Sequence, residues 1–161
     1  MHDIINRAAS CHVAMIDTTV DPPLPYVVPL NFGFEPAAGD KPDRFYLHGA
    51  REGRKLDLIR ACNRVCVQLD VDQELVTGPL ACDWGKRFAS VIADGLAYII
   101  DDEAERRLGL DSLMRHHDSL NGGRQDIQRS AEGSIVYTEK HLQATSVIRI
   151  DVTIMSAKLR S

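Results

Sequence analysis

Ile148, Ile150, Val152 and Ile154 alternate strictly with Arg149, Asp151, Thr153 and Met155. A period of two with one apolar row predicts a strand that buries one face. Such a strand is stable only within a sheet, and the chain supplies the partners. Val65, Val67, Leu69 and Val71 alternate against Cys66, Gln68 and Asp70, Cys11 to Ile16 forms an apolar run, and Arg87 to Ile100 reads as a long strand bent at Asp94-Gly95. Helical spacing is confined to Asp3–Ala9, a stretch beginning near Gly53, Asp101 to about His117, and a short turn over Glu139–Ala144. Five or six strands and two or three helices without β-α-β alternation predict an antiparallel, mainly β (α+β) barrel with helices packed at its ends.

The strand predicted from Tyr26 to Phe34 has a core row of Tyr26, Val28, Leu30, Phe32 and Phe34, with Val27, Pro29, Asn31 and Gly33 opposite. A proline in mid-strand belongs at an edge, and Gly33 permits close approach of something other than a side chain. Such a strand can offer free backbone groups to the rim of a planar heterocycle, or it can be a plain edge with one solvated face.

Phe45 to Leu47 form the next β-run, and Gly49 and Ala50 make a small-residue turn. Arg51, Arg54 and Lys55 then surround a predicted helix start near Gly53. Backbone N–H groups, a helix dipole and cations in one turn suit a phosphate ester. Taken alone, the stretch reads more readily as a surface β–α connection with solvated cations.

Composition narrows the function. With 19 Lys+Arg against 23 Asp+Glu and a net charge of −4, the chain lacks the basic excess of a general nucleic-acid binder. No apolar run reaches the roughly 20 residues of a spanning helix, and Met1-His2-Asp3 opens without a signal-like region, so a cytoplasmic single domain over 1–161 is expected. Cys11, Cys62, Cys66 and Cys82 show no paired spacing and are expected as buried free thiols. His116 and His117 close a helix and read as surface residues, with no partners at metal-ligand spacing. The polar stretch Asp118 to Gly133 reads as mobile.

Three blocks, Tyr26-Val27-Val28-Pro29-Leu30-Asn31-Phe32-Gly33-Phe34, Phe45 through Ile59, and Cys82-Asp83-Trp84-Gly85-Lys86-Arg87-Phe88-Ala89-Ser90-Val91-Ile92, together resemble the nitroimidazole-resistance (Nim-type) branch of the pyridoxamine 5′-phosphate oxidase-like flavoproteins. The resemblance runs from about Cys11 to Lys158 and departs from the family pattern at Ala93 and Ala157, where relatives commonly carry Gly. It implies an FMN-binding split β-barrel acting as a homodimer, with flavin at the subunit interface. By that resemblance His48, Gly49, Ala50, Arg54 and Lys55 hold the FMN phosphate. Val28, Pro29, Leu30 and Asn31 offer backbone to the isoalloxazine rim, and Trp84, Arg87 and Ser90 flank the cleft or come from the partner.

Because flavin carries the redox chemistry, no catalytic side chain is assigned. His48 either donates to the phosphate, faces the substrate cleft or merely closes a strand. The implied activity is electron transfer from a reduced donor such as a nicotinamide to a small acceptor such as a nitroaromatic. The alternatives are a flavin-nucleotide or haem binding protein without turnover, and a dimeric structural protein.

Overall fold

The computed structural model describes residues 1–122, 127–131 and 133–160. Its elements, in chain order, are α1 (His2–Arg7), β1 (Cys11–Asp17), β2 (Leu24–Leu30), β3 (Phe32–Glu35), β4 (Arg44–Ala50), α2 (Arg54–Ala61), β5 (Arg64–Val76), β6 (Gly85–Ile100), α3 (Glu103–Leu120), α4 (Glu139–Ala144) and β7 (Thr145–Arg160). The strands form one antiparallel seven-stranded sheet in the order β2-β1-β5-β6-β7-β4-β3. β2 and β3 are consecutive in sequence yet occupy opposite edges, so the sheet curls until its edges meet at Asn31. It does not close there, and the result is a split β-barrel with flanking helices.

That crossing corrects the sequence reading of one strand from Tyr26 to Phe34. The chain is β throughout, but Leu30 pairs with Cys11 of β1 while Phe32 pairs with Leu47 of β4. Pro29 lies on an edge strand, where its missing N–H interrupts no second ladder. The bend expected at Asp94-Gly95 is a register shift against β7. β5 continues past the alternating run that ends at Val71 to Val76. Asp72 adopts φ 57° within a shift between Val71 and Glu74, so the polar residues there mark a bulge.

Inward-facing side chains of the strands make the core, led by Val13, Met15, Phe32, Phe45, Leu47, Leu69, Ile148 and Ile150, all fully buried. Helix α3 closes one side of it. Asp102 caps its start, its side chain accepting from Glu105 N at 2.9 Å. Arg149 of β7 then ties that first turn to the sheet, donating to Glu105 at 2.6 Å and to Asp151 at 3.1 Å. The face turned to the sheet is Gly109, Ser112, Leu113 and His116. Small residues there let the helix come close, and Gly33 of β3 receives it. A Cβ at Gly33 would lie 2.4 Å from Leu113 N and 2.5 Å from Ser112 C.

His116 and His117 are not the surface residues expected from their place near the helix end. His116 is buried, its Nε2 donates to the Ala8 carbonyl at 2.8 Å, and its ring packs on Phe32 at 4.3 Å between centroids. Burial lowers its pKa from the ordinary histidine value, the Ala8 carbonyl opposes that shift, and His117 adds to the lowering. The unfolded chain therefore takes up this proton before the native one does. Stability is present in full above about pH 6.5, the unfolded value, and is lost as pH falls through the depressed native one. Denaturant unfolding from pH 8 to pH 5 is expected to show this loss, with a shallower slope in His116→Gln. Equal slopes would remove His116 as the acid-sensitive contact.

The four thiols are free, as expected, but only Cys11 is buried, where desolvation pushes its pKa up to about 12. Cys62 and Cys66 are half-buried and Cys82 is exposed, because Cys82 sits in a short turn off the sheet rather than in a strand. The expectation of a mobile stretch over Asp118 to Gly133 falls in part on residues 123–126 and 132, outside the described residues. Of the rest, Asp118–Leu120 belong to α3 and Arg129 pairs with Ile135.

Candidate functional site

β4 runs into a turn at Ala50, and α2 starts after Gly53, whose φ of 127° suits glycine. Opposite this corner lies edge strand β2. Between them opens a cleft of about 380 Å³, lined by Val28, Pro29 and Leu30 on one side and by Ala50, Arg54 and Lys55 on the other. Six of the twelve residues expected at a cofactor site thus share one cleft, and Gly49 lies next to Lys55. A Cβ on Gly49 would meet Lys55 Nζ at 2.8 Å, so the glycine makes room for the ammonium.

The cations at this corner are not equivalent. Arg54 is engaged, with Nη2 3.0 Å from Asp17 Oδ2 and its guanidinium 4.5 Å over the Tyr26 ring. Asp17 is held well below the usual carboxylate range by Thr19 first, through side-chain and backbone hydrogen bonds, and then by Arg54. Arg54 is therefore a strut that joins α2 to β1 and β2, with only part of its fork free. Lys55 pairs with no carboxylate among the described residues, and burial lowers its pKa. A half-buried ammonium without a counter-ion is unfavourable until an anion arrives.

His48 and Asn31 sit one step along the same two strands and line a second cavity of about 260 Å³. Its far wall is Leu110, Leu113, Met114 and His117 of α3, displaced one position from the stripe that packs on the sheet. Tyr137, His141, Leu142 and Thr145 complete it. His48 is open on one side, yet its pKa is lowered, by partial burial first and then by Lys55 and His117. It is a neutral imidazole at pH 7, placed between cleft and cavity.

The profile of the pyridoxamine 5′-phosphate oxidase family matches residues 1–159. The chain belongs to that family. Among solved structures, a candidate 5-nitroimidazole antibiotic resistance protein of Bacteroides thetaiotaomicron is 29% identical, with a TM-score of 0.72 over 97% of this chain and 80% of that one. A FAD and haem binding protein of Mycobacterium smegmatis has a TM-score of 0.72 at 24% identity, over 99% and 69% of the two chains. A FAD-binding protein of Mesorhizobium loti has 0.59 at 21% identity, over 99% and 92%. The latter two likenesses show the fold. None of the curated proteins matches the chain in sequence.

In this member of the pyridoxamine 5′-phosphate oxidase family, Trp84, Arg87 and Ser90 do not line the cleft. Ser90 pairs with Asp70 and Lys158 in the sheet. Arg87 pairs with Glu74 at 3.1 Å, and the exposed Trp84 donates from Nε1 to the Gly78 carbonyl at 3.0 Å. They lie along an arm built from the end of β5, the start of β6 and the end of β7. Its Leu75, Leu80, Trp84 and Leu159 are all more than half exposed. No cluster of metal-ligating side chains occurs among the described residues, and no helix there is long and apolar enough to cross a membrane.

Sequence reasoning missed Tyr26, Asp17 and the α3 wall. Tyr26 was read as core, and Asp17 as part of a polar turn. Their partnership with Arg54 follows only from the β1–β2 register that brings Asp17 opposite Leu24 and Met15 opposite Tyr26.

Proposed function

We propose that this chain is an FMN-dependent oxidoreductase of the nitroimidazole-resistance type, passing electrons from a reduced donor such as a nicotinamide to a small acceptor such as a nitroaromatic. The observation that carries the reading is Lys55, a half-buried cation with no counter-ion among the described residues, seated against Gly49 beside a cleft edged by β2. Its ammonium would meet the FMN phosphate, with the free part of Arg54 and the backbone of Gly49 and Ala50 completing the grip. The outward backbone groups of Val28 to Asn31 would border the ring, since an edge strand leaves them unpaired. FMN supplies the redox chemistry when bound, and the polypeptide contributes binding and orientation. The 29% identity to the Bacteroides protein supports the nitroimidazole-resistance branch.

A homodimer is part of the proposal. The apolar arm at Leu75, Leu80, Trp84 and Leu159 is the kind of exposed patch that marks an interface. A second copy of the chain would cover it and bring its own Trp84, Arg87 and Ser90 toward this cleft. Purified protein is expected to be yellow, to release FMN on denaturation and to scatter light as a dimer. A Soret band without flavin would favour haem binding instead. A monomer carrying a full complement of flavin would overturn the shared cleft.

A further inference from the structure

We infer that the cavity behind His48 is a separate chamber for a small, neutral, largely apolar ring compound carrying a hydrogen-bonding oxygen or nitrogen, and that this is the electron acceptor of the flavin site. The second half of the statement rests on the function proposed above; the first does not.

Charge makes the first argument. The neighbouring cleft contains Arg54, Lys55 and Glu52, whereas no Lys, Arg, Asp or Glu among the described residues lines the chamber. An anion entering it would lose hydration without gaining an ion pair, so a neutral ligand is selected. Shape and surface agree with this. About 260 Å³ accommodates one or two rings, and its apolar wall of Leu110, Leu113, Met114 and Leu142 includes a thioether, which packs favourably against aromatic edges.

An unfilled hydrogen-bonding requirement supplies an independent observation. His117 Nε2 is buried and has no hydrogen-bond partner among the described residues, and leaving such an atom unpaired is unfavourable. One other polar group of the wall is already engaged: Tyr137 donates its hydroxyl proton to Asp111 at 2.8 Å, and burial together with that bond raises its pKa. A ligand carbonyl or ring nitrogen at His117 would satisfy the buried Nε2. Position makes the last argument. Chamber and cleft are lined by neighbouring stretches of chain, Leu30 at the end of β2 then Asn31 just beyond it, and His48 then Ala50 two positions on in β4. A ring in the chamber therefore lies next to whatever the cleft holds.

Met114 provides a reporter in the chamber wall. The protein as purified, with methionine methyl groups carbon-13 labelled, would be titrated with duroquinone, a neutral one-ring quinone whose methylated positions resist addition of the exposed Cys82 thiol. The Met114 methyl resonance is expected to shift saturably, while mesitoate, an anion of similar size, leaves it in place. His117→Leu is expected to weaken duroquinone binding about three- to tenfold without changing flavin content. Leu110→Phe, which fills the chamber from one turn earlier in α3, is expected to abolish the shift. An unmoved Met114 resonance would overturn the chamber, as would equal affinity in His117→Leu or equal response to mesitoate. Failure of the flavin reading would appear separately, as protein that shifts at Met114 but carries no flavin.

Discussion

Gly33→Ala is expected to lower the melting temperature by roughly 6–12 °C, and Gly33→Val to prevent accumulation of folded protein. The added methyl of the alanine variant would stand 2.4 Å from Leu113 N and 2.5 Å from Ser112 C, both backbone atoms that cannot rotate aside. α3 must lift off β3, which loosens the contacts of Leu113 and His116 with the core. Overpacking of this kind costs typically 1–3 kcal/mol and occasionally more. At about 3 kcal/mol, the usual 2–4 °C per kcal/mol for a chain of this size gives the stated shift. Gly109→Ala is the control. Its Cβ would meet Tyr46 and Val147 side-chain atoms at 2.7 and 2.9 Å, but alanine regains about 1 kcal/mol of helix propensity there. Its loss should be the smaller of the two. If Gly33→Ala melted like the parent, α3 would not be seated where it is described.

The same residue shows what can be read from a sequence of this kind. Gly33 was legible as a point of close approach, because a glycine in a strand otherwise lacks a reason. That the approaching group is the backbone of α3, about 80 positions later, was not, since nothing local encodes it. The break at Asn31 is a similar case. Alternation continues unbroken from Tyr26 to Phe34 because both halves are strands, and a period of two carries no information about which neighbour each half pairs with. The crossing from one sheet edge to the other is a property of closure, and it turns an apparent six strands into seven.

At the site, the legible part was local and the illegible part long-range. The β4–α2 turn announces itself by Gly49, Ala50 and three cations within seven positions. The division of labour among those cations does not. Arg54 and Lys55 are adjacent and similar in charge, yet the sheet register delivers Asp17 and Tyr26 to the first and nothing to the second. His116 was misread for the same reason. The last turn of a helix favours a protonated, solvated imidazole, but Phe32 and the Ala8 carbonyl arrive from β3 and α1 and hold it neutral and buried.

Lys55→Glu is expected to abolish FMN retention through purification while leaving the fold intact, and Lys55→Gln to weaken it severely. Removing one partner of a desolvated charge pair costs about 2–5 kcal/mol, a loss of affinity of thirtyfold or more for the glutamine variant, and a carboxylate facing a phosphate adds repulsion. Stability separates this role from a structural one. Burial lowers the Lys55 pKa, so the charged ammonium is less comfortable in the folded protein than in the unfolded chain. Without ligand, Lys55→Gln should therefore melt no lower than the parent, and slightly higher if its amide is accommodated. A structural lysine would behave in the opposite way, losing stability with or without FMN. Added FMN should raise the melting temperature of the parent, because a ligand that binds only the native state stabilises it, and should leave the Lys55→Glu variant unmoved. Unaltered flavin content in Lys55→Glu would remove the phosphate from this corner, and with it the reason for an unpaired cation beside a glycine at the end of β4.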